Sequence, residues 1–149
     1  MKTSIRIAIA LTALAVSSLC GAETKVKLQN LPPAVQKMVQ AETAHATLVG
    51  LTKEVENGKL NYEIETKVNG RSRDLSVDAN GTILSVEEEV PLDSVPAVAK
   101  AAIEKKAAQG KVLKVEKVSE NGKVTYEAAI SVKGKNSEIQ IAEDGALVK

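Results

Sequence analysis

The chain carries one phrase twice. Asn57 to Gly70 read NGKLNYEIETKVNG, and sixty-four residues later Asn121 to Gly134 read NGKVTYEAAISVKG. At the same offset Pro32 meets Pro96, Lys53 meets Lys117, Tyr62 meets Tyr126, Glu63 meets Glu127 and Gly81 meets Gly145, with no gap between residues 31–85 and 95–149. Apolar positions exchange within type, as at Leu75 and Ile139. An internal repeat constrains the fold more than any other feature, because each copy must build the same supersecondary unit.

Each copy opens with a helical pattern. Leu31, Val35, Met38, Val39 and Ala46 line one face in the first, and Val95, Val98, Ala99, Ala102 and Ile103 do so in the second. Pro32 and Pro96 stand near the helix starts, where a missing N–H is harmless. Asp93 or Ser94 is placed to cap the second helix, and Gly110 suits its end. Aliphatic runs at residues 48–56 and 112–120 then stop at Asn-Gly, the strongest short hairpin signal. In the next strand Leu60, Tyr62, Ile64 and Val68 point one way, while Glu63, Glu65 and Lys67 point the other. The third strand carries Leu75 and Val77, or Ile139 and Ile141, and a short last strand holds Ile83, Leu84 and Val86, with Leu147 and Val148 as its clipped counterpart. The expectation is an α+β fold of two tandem α-β-β-β-β repeats, each a helix packed on its own antiparallel sheet, over residues 23–90 and 91–149. Val118 breaks the alternation set by Leu113 and Val115, which suggests a bulge near Lys117.

Residues 1–22 stand apart. Lys2 and Arg6 precede an apolar run from Ile7 to Val16, too short to span a bilayer, and Cys20 and Ala22 sit at the −3 and −1 positions of a cleavage site. This reads as a signal peptide cut after Ala22, followed by a periplasmic or secreted chain with no integral membrane segment. The rival reading, lipid anchoring at Cys20, needs a small residue before the cysteine, and Leu19 stands there. Cys20 is the single cysteine, so the mature chain is held by its core without a disulfide.

Composition excludes several functions. The chain has 20 Lys and Arg against 19 Asp and Glu, and losing Lys2 and Arg6 tips the balance slightly acidic. That charge calls for neither nucleic acid nor an anionic membrane. Tyr62 and Tyr126 are the only aromatic residues, so no base-stacking platform can be built. They fall on the apolar side of their strands and read as core. His45 is the sole histidine, and its repeat partner is Gln109. A zinc centre of ordinary type therefore cannot be assembled, and no nucleophile elbow or phosphate-cradling loop occurs. Asp78 to Gly81 resembles the start of a calcium loop but lacks the later oxygen ligands, so a hairpin turn fits better. No catalytic residue, metal site or cofactor is expected. Glu63, Glu65, Lys67, Asp74 and Ser76 share a polar sheet face, read as solvated. Arg71 and Arg73 crown a hairpin and could grip a carboxylate. Glu87 to Glu89 read as a solvated connector before Pro91.

A helix opening LPPAVQKMV or VPAVAKAAI, a strand, NGK with YE three residues on, and VDANGTIL or IAEDGALV together resemble the PepSY-like group of exported bacterial proteins, which share a β-lactamase-inhibitor-like fold. The resemblance covers residues 26–149, once per unit. It implies a periplasmic or secreted α+β module, in some members tied to peptidase or β-lactamase inhibition. The functional expectation is a non-enzymatic binding or regulatory module with an envelope or secreted protein as partner. The alternative is an inhibitor of an envelope peptidase or other hydrolase. The expected contact face comprises Glu63, Glu65, Lys67, Arg71 and Arg73.

Overall fold

The structure, a computed structural model, describes residues 23–56 and 58–148. The signal-peptide and lipidation readings of residues 1–22 lie outside the described residues. In the first unit a two-residue strand β1 (Thr24–Lys25) precedes helix α1 (Pro33–Glu42) and strands β2 (Thr47–Glu56), β3 (Lys59–Val68), β4 (Arg71–Asp78) and β5 (Ile83–Glu89). The second unit contains α2 (Ala97–Ala107), β6 (Lys111–Glu120), β7 (Lys123–Val132) and β8 (Lys135–Ala142).

The expected pair of separate helix-on-sheet repeats is overturned. Among the described residues the strands join one antiparallel eight-stranded sheet in the order β1 to β8, accompanied by two α-helices. The join is β5 against β6, where Ser85 pairs with Glu120 and Glu89 with Glu116. The repeat is also imperfect: the fourth strand of the second unit shrinks to an isolated bridge between Ile141 and Leu147. A sheet that stopped at β5 would leave a row of unpaired backbone groups, and pairing with β6 satisfies them. Glu87 to Glu89 are therefore strand rather than connector.

The turns follow the repeat closely. Asn69 and Gly70 at one hairpin, and their repeat equivalents Lys133 and Gly134, all have φ between 51° and 84°. Two successive positive φ values match the right-handed strand twist, and Asn-Gly reaches them at least cost. The turns after β4 and β8 sit against the helix starts: a Cβ on Gly81 would lie 2.9 Å from the Ala34 carbonyl oxygen, and one on Gly145 the same distance from Val98 Cγ1. These contacts are repeat equivalents, Ala34 with Val98 and Gly81 with Gly145.

Both helices cover the same face. Cross-strand partners share a face of a sheet; Leu75 pairs with Val86, Val86 with Ser119, and Ser119 with Val124. Leu75 belongs to the first core, with Val35, Val39, Tyr62, Ile64 and Val77, whereas Val124 packs on the second, with Ala99, Ile103, Tyr126, Ala128 and Ile141. Tyr62 and Tyr126 are each 6% exposed, as core residues should be. Three local expectations change. The bulge in β6 falls between Val112 and Lys114 rather than at Lys117, with its counterpart in β2 between Leu48 and Gly50. Val118 is then in register, facing away from the helices. Neither Asp93 nor Ser94 caps α2: Asp93 binds Lys100 at 2.6 Å, and the Ser94 hydroxyl donates to the Pro91 carbonyl at 2.7 Å.

Candidate functional site

The helix-free face of the sheet is built by the second half of each strand's alternation. Register lays two rows across it. One runs Gly50, Glu65, Asp74, Glu87, Val118, Thr125; the other runs Thr52, Glu63, Ser76, Ser85, Glu120. A third set, Glu89, Glu116, Glu127 and Gln140, lies beside them on the second unit. Asp74 stands directly opposite Glu87, a like-charge pairing that destabilises a sheet unless a proton or cation relieves it.

This face was expected to be solvated, and its middle is not. Glu87 and Glu116 each keep 3% of their surface, Ser85 2% and Val118 5%. Strands about 4.8 Å apart place a side chain on both flanks of each central residue, and the twist of a wide sheet closes those flanks over it. The acids of this face differ in how they are satisfied. Glu116 accepts from Lys114 Nζ at 2.6 Å and from the Ser72 hydroxyl at 3.2 Å. Asp74 accepts from the Thr66 backbone N–H at 3.2 Å, and Glu63 from the Thr52 hydroxyl at 3.3 Å. Glu87 Oε2 is buried and has no hydrogen-bond partner. A cleft lined by Glu54, Glu63, Asp74, Leu75, Ser76, Ser85 and Glu87 opens beside it, with room for about one water-sized group.

Burial sets the protonation of this cluster. It pushes the Glu87 carboxyl up to about 8, helped by the charges of Glu127, Glu116, Asp74 and Glu63. Glu63 rises to about 7, chiefly through burial and then through Glu65, Glu23, Asp74 and Glu54. Asp74 rises to about 6 through burial, opposed by the hydrogen bond from Thr66. Near neutral pH the cluster therefore carries protons that isolated carboxylates would have lost.

The five residues expected to form one contact face are divided. Glu63, Glu65 and Lys67 lie on the helix-free face, and the Glu65 carboxylate sits over bare backbone, 2.7 Å from where a Cβ on Gly50 would be. Arg71 and Arg73 have the opposite parity, pairing with Val68 and Thr66 on the helix side. Arg73 is held there by Glu42 at the end of α1, at 2.8 Å, and by Glu88 at 3.1 Å. Asp78 is turn-bound: its Oδ1 accepts from the backbone N–H groups of Asn80 and Thr82, which hold its carboxyl below the usual range. His45 is exposed in the turn after α1, and among the described residues no acidic, His or Cys group is arranged to hold a metal ion. Sequence reasoning missed Glu87, Glu116 and Ser85 as site residues. A signal was present: in ILSVEEE, continued alternation places Glu87 on the same face as Ser85.

Several solved structures share the architecture. A protein of Bacteroides eggerthii described as periplasmic is 16% identical over 80% of this chain and 86% of its own, with a TM-score of 0.66. A DUF2874 family protein of Bacteroides ovatus is 17% identical over 80% and 86%, TM-score 0.62. A BLIP-like protein of Bacteroides fragilis is 19% identical over 80% and 84%, TM-score 0.58. At these identities the likeness is one of fold. No curated protein matches the chain. Among the described residues no helix is long and apolar enough to cross a membrane. The family described as beta-lactamase-inhibitor-like, PepSY-like matches residues 20–85 and again residues 69–149, and this chain belongs to that PepSY-like family.

Proposed function

We propose that the protein is a non-enzymatic binding and regulatory module of the cell envelope, exported by the signal peptide at residues 1–22, and that its helix-free sheet face docks an envelope or secreted protein. The observation that carries this reading is the face itself: a continuous sheet with one side covered by helices and the other presenting ordered polar side chains on rigid strands. Glu63, Glu65 and Lys67 form the accessible strip of that face, with Arg71 and Arg73 flanking the β3–β4 hairpin from the other side. Raised carboxyl pKa values in a cleft also mark catalytic sites. Here the cleft admits about one water-sized group, too little to enclose a scissile bond, which favours binding over catalysis.

A photo-crosslinking residue placed at Glu65, with a control at the exposed helix position Val98, tests the reading in cells. A discrete adduct from Glu65 only, lost on Glu63→Lys with an unchanged melting temperature, is expected. Equal adducts from both positions, or none from Glu65, refute docking on this face. A second reading, inhibition of an envelope hydrolase by the same face, is favoured by the family description and the BLIP-like relative. Dose-dependent loss of β-lactamase or envelope peptidase activity on adding the purified protein would support it, and unchanged activity at micromolar protein would dismiss it.

A further inference from the structure

Resting on the docking role just proposed, we propose that the cleft between Glu63, Asp74 and Glu87 seats one primary ammonium group, the side-chain head of a lysine on the docked polypeptide. Four carboxyl groups line the cleft, Glu54 from β2, Glu63 from β3, Asp74 from β4 and Glu87 from β5. The innermost, Glu87, is 3% exposed and has an oxygen with no partner. A buried polar atom left unpaired is costly, and once Glu87 gives up its proton this oxygen is an acceptor that needs a donor. Among the described residues no Lys or Arg lines the cleft; Lys67 lies one row away, opposite Ser72, and Lys123 extends the second row on β7, opposite Glu120. From β2 to β6 neither row crossing the cleft contains Lys or Arg. Lys114, on the same face, is engaged by Glu116 at 2.6 Å, and Lys25, beyond Thr52 at the sheet edge, is exposed.

Size selects the head group. Space for roughly one water-sized group fits a tetrahedral ammonium and is too small for a planar guanidinium. An ammonium brings three donors, one of them for the unpartnered Glu87 oxygen, and its four-carbon stem is long enough to reach inward from a partner's surface. Metal ions suit the site less well, since no described group of acids is arranged for coordination. Seating a cation displaces the protons that the cluster otherwise holds, so affinity rises with pH as those protons become easier to remove.

The test titrates the purified protein with N-α-acetyl-lysine methylamide at pH 8.5 and pH 5.0, following backbone amide NMR shifts. Saturable shifts at Ser76, Ser85 and Glu87 are expected at pH 8.5, about tenfold or more weaker at pH 5.0 by proton linkage. Glu87→Gln should weaken binding about tenfold or more through loss of a charge-assisted contact, while its amide spectrum stays dispersed. The uncharged norleucine analogue and tetramethylammonium should leave these amides unmoved. Equal response to either control, indifference to Glu87→Gln, or calcium alone moving the same amides would overturn the assignment. Absent shifts with the Glu65 adduct intact would overturn the ammonium seat and leave the docking role standing. Shifts without any adduct would overturn the assignment to a partner's lysine.

Discussion

Glu87→Gln is the perturbation for which the structure makes the sharpest demand. In the folded protein burial holds this carboxyl protonated up to about 8, against 4.5 for the free group. Between those values the folded state binds a proton that the unfolded chain has released. Stability therefore falls as pH rises through the window, the reverse of the usual behaviour of a salt-bridged acid. At about 1.4 kcal/mol per pKa unit, full ionisation in a rigid site would cost roughly 5 kcal/mol, and relaxation with water entry brings the expected cost to about 2. Gln keeps the shape, carries no charge and can donate toward Glu63 or Asp74. The substitution should be nearly neutral at pH 4.5, within a few tenths of a kcal/mol, and stabilising by about 2 kcal/mol at pH 8.5. Urea unfolding at the two pH values, with equal m-values as the check on two-state behaviour, measures the difference. A loss of stability of the same size at both pH values would refute the reasoning, because it would mean that Glu87 is held by contacts indifferent to its charge. The groups that set the window are those facing Glu87: Glu63, Asp74, Glu116 and Glu127, with Ser85 and Val118 covering it.

Other consequences are simpler to read. Tyr62→Ala and Tyr126→Ala each empty a core site under a helix and should cost about 3–5 kcal/mol by thermal or urea unfolding. Ala108 caps α2 at φ 49° and ψ −121°, a region suited to glycine, so Ala108→Gly should raise stability by about 1 kcal/mol, visible as a higher melting temperature. Gly81→Ala and Gly145→Ala each combine a positive φ with a Cβ 2.9 Å from a helix-start atom, and each should lose about 1–3 kcal/mol. Arg73→Glu would set a third acid beside Glu42 and Glu88 and should lower the melting temperature, whereas Arg71→Glu, on an exposed residue, should leave it nearly unchanged.

Much of this molecule is written locally. The offset between Tyr62 and Tyr126, the Asn-Gly turns and the alternation along β3 and β7 establish the helix, the meander and the buried tyrosines, because each depends on residues only a few positions apart. Local signals stop where partners are distant in sequence. That β5 pairs with β6 is a choice between leaving an edge open and closing it, and nothing within ILSVEEE announces it. Once it happens, Glu87 passes from connector to the buried middle of a wide sheet, and its raised pKa and the cleft beside it follow. The same holds for Arg73, which alternation alone places on the helix side but which only tertiary packing brings to Glu42, across the space between α1 and β4. Ala44 and Ala108 make the point within the repeat itself. They are identical residues at equivalent positions, yet only Ala108 is held at positive φ, as the C-cap of α2, whereas α1 is capped by Thr43 and Ala44 falls beyond it, so residue type alone does not decide which backbone region an alanine occupies.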